Sequence, residues 1–116
     1  MNYGFIGTGN IVSDVITGMN DSKIKYNKII ISPRNQKKAK QLKKKFKKII
    51  IAKDNQSVIN DSDWVFLGVL PKVGDKILPK LRFRNKQIIV SFMSTTNQIK
   101  LKKLIKTKST IIRAIP

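Results

Sequence analysis

The 116 residues carry 25 Lys and Arg against six acids, a formal charge of +19, with 41% hydrophobic residues. That length and apolar content suit one domain around one core and argue against wholesale disorder. Cys and His are absent and every acid is Asp, so disulfides, thiolate chemistry and zinc or iron centres lack their usual ligands, and no metal site is expected.

No apolar run approaches the roughly 18 residues that span a membrane. The N-terminal MNYGFIG lacks the basic and apolar regions of a secretory signal. A cytoplasmic protein without a membrane partner is therefore expected. The charge is a possible polyanion signal. Lys far outnumbers Arg, Asn and Ile are frequent and Glu is absent, as an A/T-biased genome would produce. The lysines are not interleaved with the stacking aromatics of single-strand binders, so a basic nucleic-acid-binding domain is the weakest of the functional alternatives.

In chain order, Tyr3 to Ile6 is a compact apolar run ending in glycine, as a buried strand would be. Asn10 to Met19 places Ile11, Val12, Val15, Ile16 and Met19 on a helical stripe, with Gly18 and Asn20-Asp21-Ser22 marking its end. Ile29 to Ile31 reads as the second strand, closed by Ser32-Pro33. Asn35 to Lys48 is helical through Ala39, Leu42 and Phe46, and its eight lysines read as a solvated face. Ile49 to Ile51 is a third strand and Asn55 to Asn60 a short helix.

Trp64 to Leu70, the longest apolar run, reads as a central strand buried on both faces. A short or broken helix must tolerate Pro79 between Val73 and Leu81. Ile88 to Val90, a helix over Ile99 to Ile105 and a strand over Thr110 to Ile112 complete the pattern. Six strands alternating with helices predict an α/β, Rossmann-like, doubly wound, mostly parallel sheet of order 3-2-1-4-5-6 in a single domain, residues 1–116.

Such a sheet binds ligands beyond the C-terminal ends of its strands, where the strand order reverses. Gly7 and Gly9 fall there in GFIGTGNIV. Gly7 permits the tight turn, and Gly9 lets backbone approach a pyrophosphate. The amides of Asn10 and Ile11 point at it with the helix dipole behind them. Val12 stands where the pattern wants a third small residue, which predicts a wider helix–sheet separation. At the second strand's end, an NAD site would place an acid. Ser32-Pro33-Arg34-Asn35 has none. Ser32 and Asn35 can donate to a 2′-phosphate, Arg34 can clamp it, and Lys37 and Lys38 add positive potential. NADP, as NADPH, is expected over NAD, although the same residues also suit an ordinary turn and helix cap.

These blocks, with Asp63-Trp64-Val65-Phe66-Leu67-Gly68-Val69, Ile89-Val90-Ser91 and Ile112-Arg113-Ala114-Ile115-Pro116, resemble the nucleotide-binding domain of pyrroline-5-carboxylate reductases over nearly the whole chain. The resemblance implies NAD(P)H-dependent reduction of a cyclic imine to proline. Ile6, Gly7, Thr8, Gly9, Asn10 and Ile11 would bind the pyrophosphate, and Ser32 the adenosine-ribose phosphate. Asn55 would contact the adenosine side. Gly68, Val69, Leu70 and Pro71 would line the cofactor, with Phe92, Met93 and Ser94 near the nicotinamide.

Two departures stand out. The family usually reads Ala-Val-Lys-Pro where this chain has Gly68-Val69-Leu70-Pro71, and Ala-Ala-Gly where it has Met93-Ser94-Thr95. The latter predicts bulk and hydroxyls beside the hydride. The family's helical domain, which dimerises and holds the imino acid, is not among these residues. The isolated domain is therefore expected to bind cofactor without completing catalysis, contributing no catalytic residue of its own, and to oligomerise only through that domain. A related NADP- or deazaflavin-linked oxidoreductase with another substrate is the alternative.

Overall fold

The computed structural model describes residues 1–7 and 9–114. Six strands, β1 (Asn2–Ile6), β2 (Lys28–Ile31), β3 (Ile49–Ile51), β4 (Trp64–Leu67), β5 (Ile88–Ser91) and β6 (Thr110–Arg113), form one sheet. All pair in parallel in the order β3-β2-β1-β4-β5-β6, the order expected from the sequence. Gly4 is aligned with Ile30 on one side and Val65 on the other, and Val65 continues the row to Ile89 and Ile111.

Successive strand residues point to opposite faces, and two cores result. Phe5, Ile29, Ile31, Phe66 and Val90 meet α1 (Asn10–Asp21) and α2 (Gln36–Lys45) through Val12, Ile16, Ala39 and Leu42. Ile6, Ile30, Val65, Leu67 and Ile89 meet α3 (Asn55–Asn60) and α5 (Gln98–Leu104) through Val58, Ile59 and Leu101. Leu78, in the 3₁₀ turn Leu78–Lys80 that follows α4 (Pro71–Ile77), joins the second core. On the first face Phe5 and Phe66 stack at 4.6 Å, with Phe92 at 5.8 Å from Phe66.

Element ends differ from expectation for local reasons. α1 runs through Gly18 to Asp21, and the Gly18 carbonyl accepts the Ser22 amide that closes it. α2 stops at Lys45, because Phe46 turns into extended backbone to bury its ring. β4 ends at Leu67, three residues before the apolar run does. Pro71 does not close that strand but opens α4 at its first helical position, where a missing amide costs nothing. Pro79 falls in the 3₁₀ turn, so α4 ends ahead of it without a kink. The closing Ile115-Pro116 of the resembling motif lies outside the described residues.

Candidate cofactor site

β1 lies between β2 and β4, so the strand order reverses beside it. The backbone leaves β1 through Gly7 at a φ of 103°, in the left-handed region that favours glycine. A side chain there would also run into the Gly68 carbonyl, because the exits of β1 and β4 lie against each other. The Gly68 amide donates to the Ile6 carbonyl at 2.9 Å. Thr8 lies outside the described residues. Gly9 is the N-cap of α1 in extended backbone, with no side-chain cap and no acid in the first turn. The first amides of a helix have no intrahelical acceptor, so Asn10 and Ile11 begin an uncapped, positively polarised end. A Cβ on Gly9 would meet nothing within 4 Å. The backbone is open to an anion there.

Two contiguous cavities meet over this turn, sharing Gly9, Gly68, Val69 and Leu70. One, about 480 Å³, extends toward Arg34, Asn35, Gln36 and Lys38 at the start of α2. The other, about 360 Å³, extends over Asn10 and Ile11 toward Pro71, Phe92, Met93 and Ser94 beyond β5. Each is within the range of small-molecule sites, and together they form a cleft across the strand ends. Among the described residues, Arg34 and Lys38 are the charged ones lining it, and no carboxylate does. Ile6 is fully buried beneath the turn and contributes its carbonyl to the β1–β4 join.

Ser32 and Asn55 are placed differently from the other site candidates. Ser32 is buried, and its hydroxyl donates to the Asn55 Oδ1 at 2.8 Å. The pair ties the end of β2 to the start of α3 behind the cleft, and neither residue lines it. Asn35 accepts the Lys38 amide on its Oδ1 at 3.2 Å, capping α2, and it also lines the cleft. At the start of α3, Asp54 accepts the Ser57 amide. That backbone hydrogen bond, then one from the Ser57 side chain, holds the exposed carboxyl below its usual value.

Val12 and Met93 each fill space that a facing glycine leaves free, and for Met93 this corrects the expected bulk beside the hydride. Val12, on the inner side of α1, is fully buried in the first core. The missing Cβ at Gly68 leaves the room that Val12 Cγ2 occupies, since a Cβ there would collide with it. Met93 lines the cleft, but its side chain is buried among Leu78 and Leu101, with Cε where a Cβ on Gly74 would stand. Its amide is held by the Ser91 Oγ at 3.1 Å. The bulk at position 93 therefore goes into the core, and only Ser94 and Thr95 present hydroxyls at the surface. Ser94 is held through its carbonyl, which accepts from Arg113 Nη2 at 2.9 Å.

Sequence reasoning missed Gln36 and Val73 as lining residues. Lys38, foreseen only as background potential, is a lining residue, whereas its neighbour Lys37 is not. One turn of helix separates Asn35 from Lys38, and that spacing was the available signal. An uncapped helix start under a bare glycine, flanked by cations, fits the phosphates of a dinucleotide.

Solved structures of pyrroline-5-carboxylate reductases superpose on the chain. That from Streptococcus pyogenes does so with a TM-score of 0.83 at 25% identity, covering all of this chain and 42% of its own. That from Coxiella burnetii does so at 0.87 and 24%, covering 99% and 43%. A diketoreductase acting on dicarbonyl compounds shares the fold at a TM-score of 0.70 and 18% identity, over 90% of this chain and 45% of its own. The chain thus spans less than half the length of these enzymes. No curated protein sequence matches it. Among the described residues no helix is long and apolar enough to cross a membrane. The fold, the cleft at the reversal and this likeness describe a dinucleotide-binding reductase domain. The model of the family described as NADP oxidoreductase, coenzyme F420-dependent, matches residues 2–95, most of the chain, and the chain belongs to that family.

Proposed function

We propose that this chain is the NADP-binding domain of a cytoplasmic NAD(P)H-dependent reductase acting on a C=N bond, of the pyrroline-5-carboxylate reductase kind. The observation that carries the cofactor assignment is the acid-free cleft, with Arg34 and Lys38 on the side of the β2 exit. A carboxylate there would hold ribose hydroxyls, whereas two cations suit a 2′-phosphate. The bound NADPH would supply the hydride. The first-turn amides of Asn10 and Ile11 bind its pyrophosphate over Gly7 and Gly9. Arg34, Asn35 and Lys38 bind the 2′-phosphate. Ser32 and Asn55 act behind them, by fixing the β2 exit from which Arg34 projects. Gly68, Val69, Leu70 and Pro71 form the floor and lip, and Phe92, Met93 backbone and Ser94 orient the nicotinamide end. The imino acid and the closure over it belong to residues beyond this domain, so the isolated domain binds cofactor without turning over the imine.

Titration of the chain with NADPH and NADH tests the assignment. NADPH should bind more tightly, and Arg34→Ala should weaken NADPH by roughly tenfold or more, the scale of one lost charge-assisted contact, while changing NADH little. Equal or tighter NADH binding overturns the 2′-phosphate reading. The alternative, a related oxidoreductase with another substrate, is favoured by the exposed Ser94 lining the nicotinamide end, next to exposed Thr95. Failure of the complete enzyme to reduce a pyrroline carboxylate, with NADPH binding intact, would favour it.

A further inference from the structure

We infer that Val12 and Gly68 form one interlocked pair that positions the floor of the cleft, making each residue's identity conditional on the other. The inference rests on the cleft being a dinucleotide site. Val12 is the first fully buried residue of α1, one residue past the amides of Asn10 and Ile11. Gly68 is the first residue past β4, and it lines both halves of the cleft.

A Cβ built on Gly68 would overlap Val12 Cγ2, while its next neighbours, the Ile6 carbonyl and Phe92 Cδ2, stand clear at 3.8 Å. Val12 alone forbids a side chain at 68. Neither partner has an easy way out. A β-branched residue in a helix is restricted to essentially one χ1 rotamer, so the Val12 methyl cannot swing aside. Gly68 is held by its amide on Ile6, and its carbonyl fills the space that Gly7 leaves by lacking a Cβ. An added methyl at 68 must therefore displace the first turn of α1 or the β4 exit, and both carry the backbone that faces the cofactor. Val12 and Gly68 thus act as positioning residues through the segments they seat.

Four proteins test this: the parent chain, Val12→Ala, Gly68→Ala and the double variant, each titrated with NADPH and melted. Gly68→Ala should weaken NADPH by about tenfold or more, and Val12→Ala by no more than about threefold. The double variant should return to within about threefold of Val12→Ala without regaining the parent's thermal midpoint. A merely structural pair would not restore affinity while stability stays low. A double variant as weak as Gly68→Ala overturns the inference. If Gly68→Ala does not fold, the double variant decides: folded with near-parent affinity supports the pair, and weak binding or no fold overturns it. If the parent binds neither NADPH nor NADH, the cofactor reading falls while the thermal cycle still tests the pair. Coupled midpoints would support it, and additive ones would overturn it.

Discussion

Gly74 and Gly68 each lack a Cβ opposite a bulkier residue, yet the two positions should respond differently to the same methyl. At Gly74 the obstructing atoms are Met93 Cε, Met93 Sδ at 3.3 Å and Leu78 Cδ1 at 3.6 Å. Cε is the far end of an unbranched chain with three rotatable bonds, which can turn away at small cost. The same substitution removes a glycine from inside α4, worth up to about 1 kcal/mol of helix propensity. Gly74→Ala should therefore leave stability within about 1 kcal/mol of the parent's, on either side. At Gly68 the obstacle is a rigid branched methyl, and a clear loss is expected. Melting both single variants decides the point: a Gly74→Ala loss as large as that of Gly68→Ala would mean that Met93 is as immobile as Val12.

The elements themselves follow closely from local pattern. Short apolar runs between turn residues, and helical stripes at three- and four-residue spacing, give the six strands and five helices of the described residues in their correct order, and Pro79 accounts for the break after α4. Boundaries were less legible because tertiary packing sets them. Phe46 continues the helical stripe in sequence, but the core takes its ring only from extended backbone. Leu70 extends the apolar run of β4 yet stands exposed at the cleft lip, because the chain there has already turned into the N-cap of α4. The glycine turn was readable because backbone geometry demands glycine locally. The Ser32–Asn55 bond and the Val12–Gly68 contact join residues distant in sequence, and no local pattern encodes them.

One cap shows how such local chemistry reaches stability. The folded Asp54 carboxyl titrates below the unfolded value of 3.8, chiefly through the Ser57 amide it accepts. Its contribution is therefore full above the unfolded value and is lost as pH falls from there through the folded value. Asp54→Asn keeps an N-cap acceptor without a titrating group. Below about pH 4 the thermal midpoint of the parent should fall more steeply than that of Asp54→Asn, with the curves parallel near neutrality. Parallel curves throughout would remove Asp54 from the acid response.

At the scale of the whole molecule, 25 cations face six carboxylates. Among the described residues one ion pair forms, Lys100 with Asp75 at 3.2 Å on the surface, and exposed pairs of this kind contribute little. Several lysines are instead spent on neutral partners: Lys43 and Lys48 donate to the Ile49 and Tyr26 carbonyls, and Lys45 lies 5.7 Å from the Phe46 ring centroid. Like charge spread over a body with a radius of gyration of 13.1 Å repels itself. Salt shortens the reach of that repulsion from about 30 Å at 0.01 M to about 8 Å at physiological strength. The same screening weakens attraction between Arg34, Lys38 and an anionic cofactor. The two effects carry opposite signs, so raising salt from roughly 0.01 to 0.15 M should raise the thermal midpoint of the free chain while lowering its affinity for NADPH. The loss of affinity should be steeper for NADPH than for NADH, because only the former carries the 2′-phosphate that Arg34 and Lys38 would meet. A midpoint that falls with salt would show that the lysine surface is not under net repulsion. Equal salt slopes for the two dinucleotides would place the 2′-phosphate away from those cations.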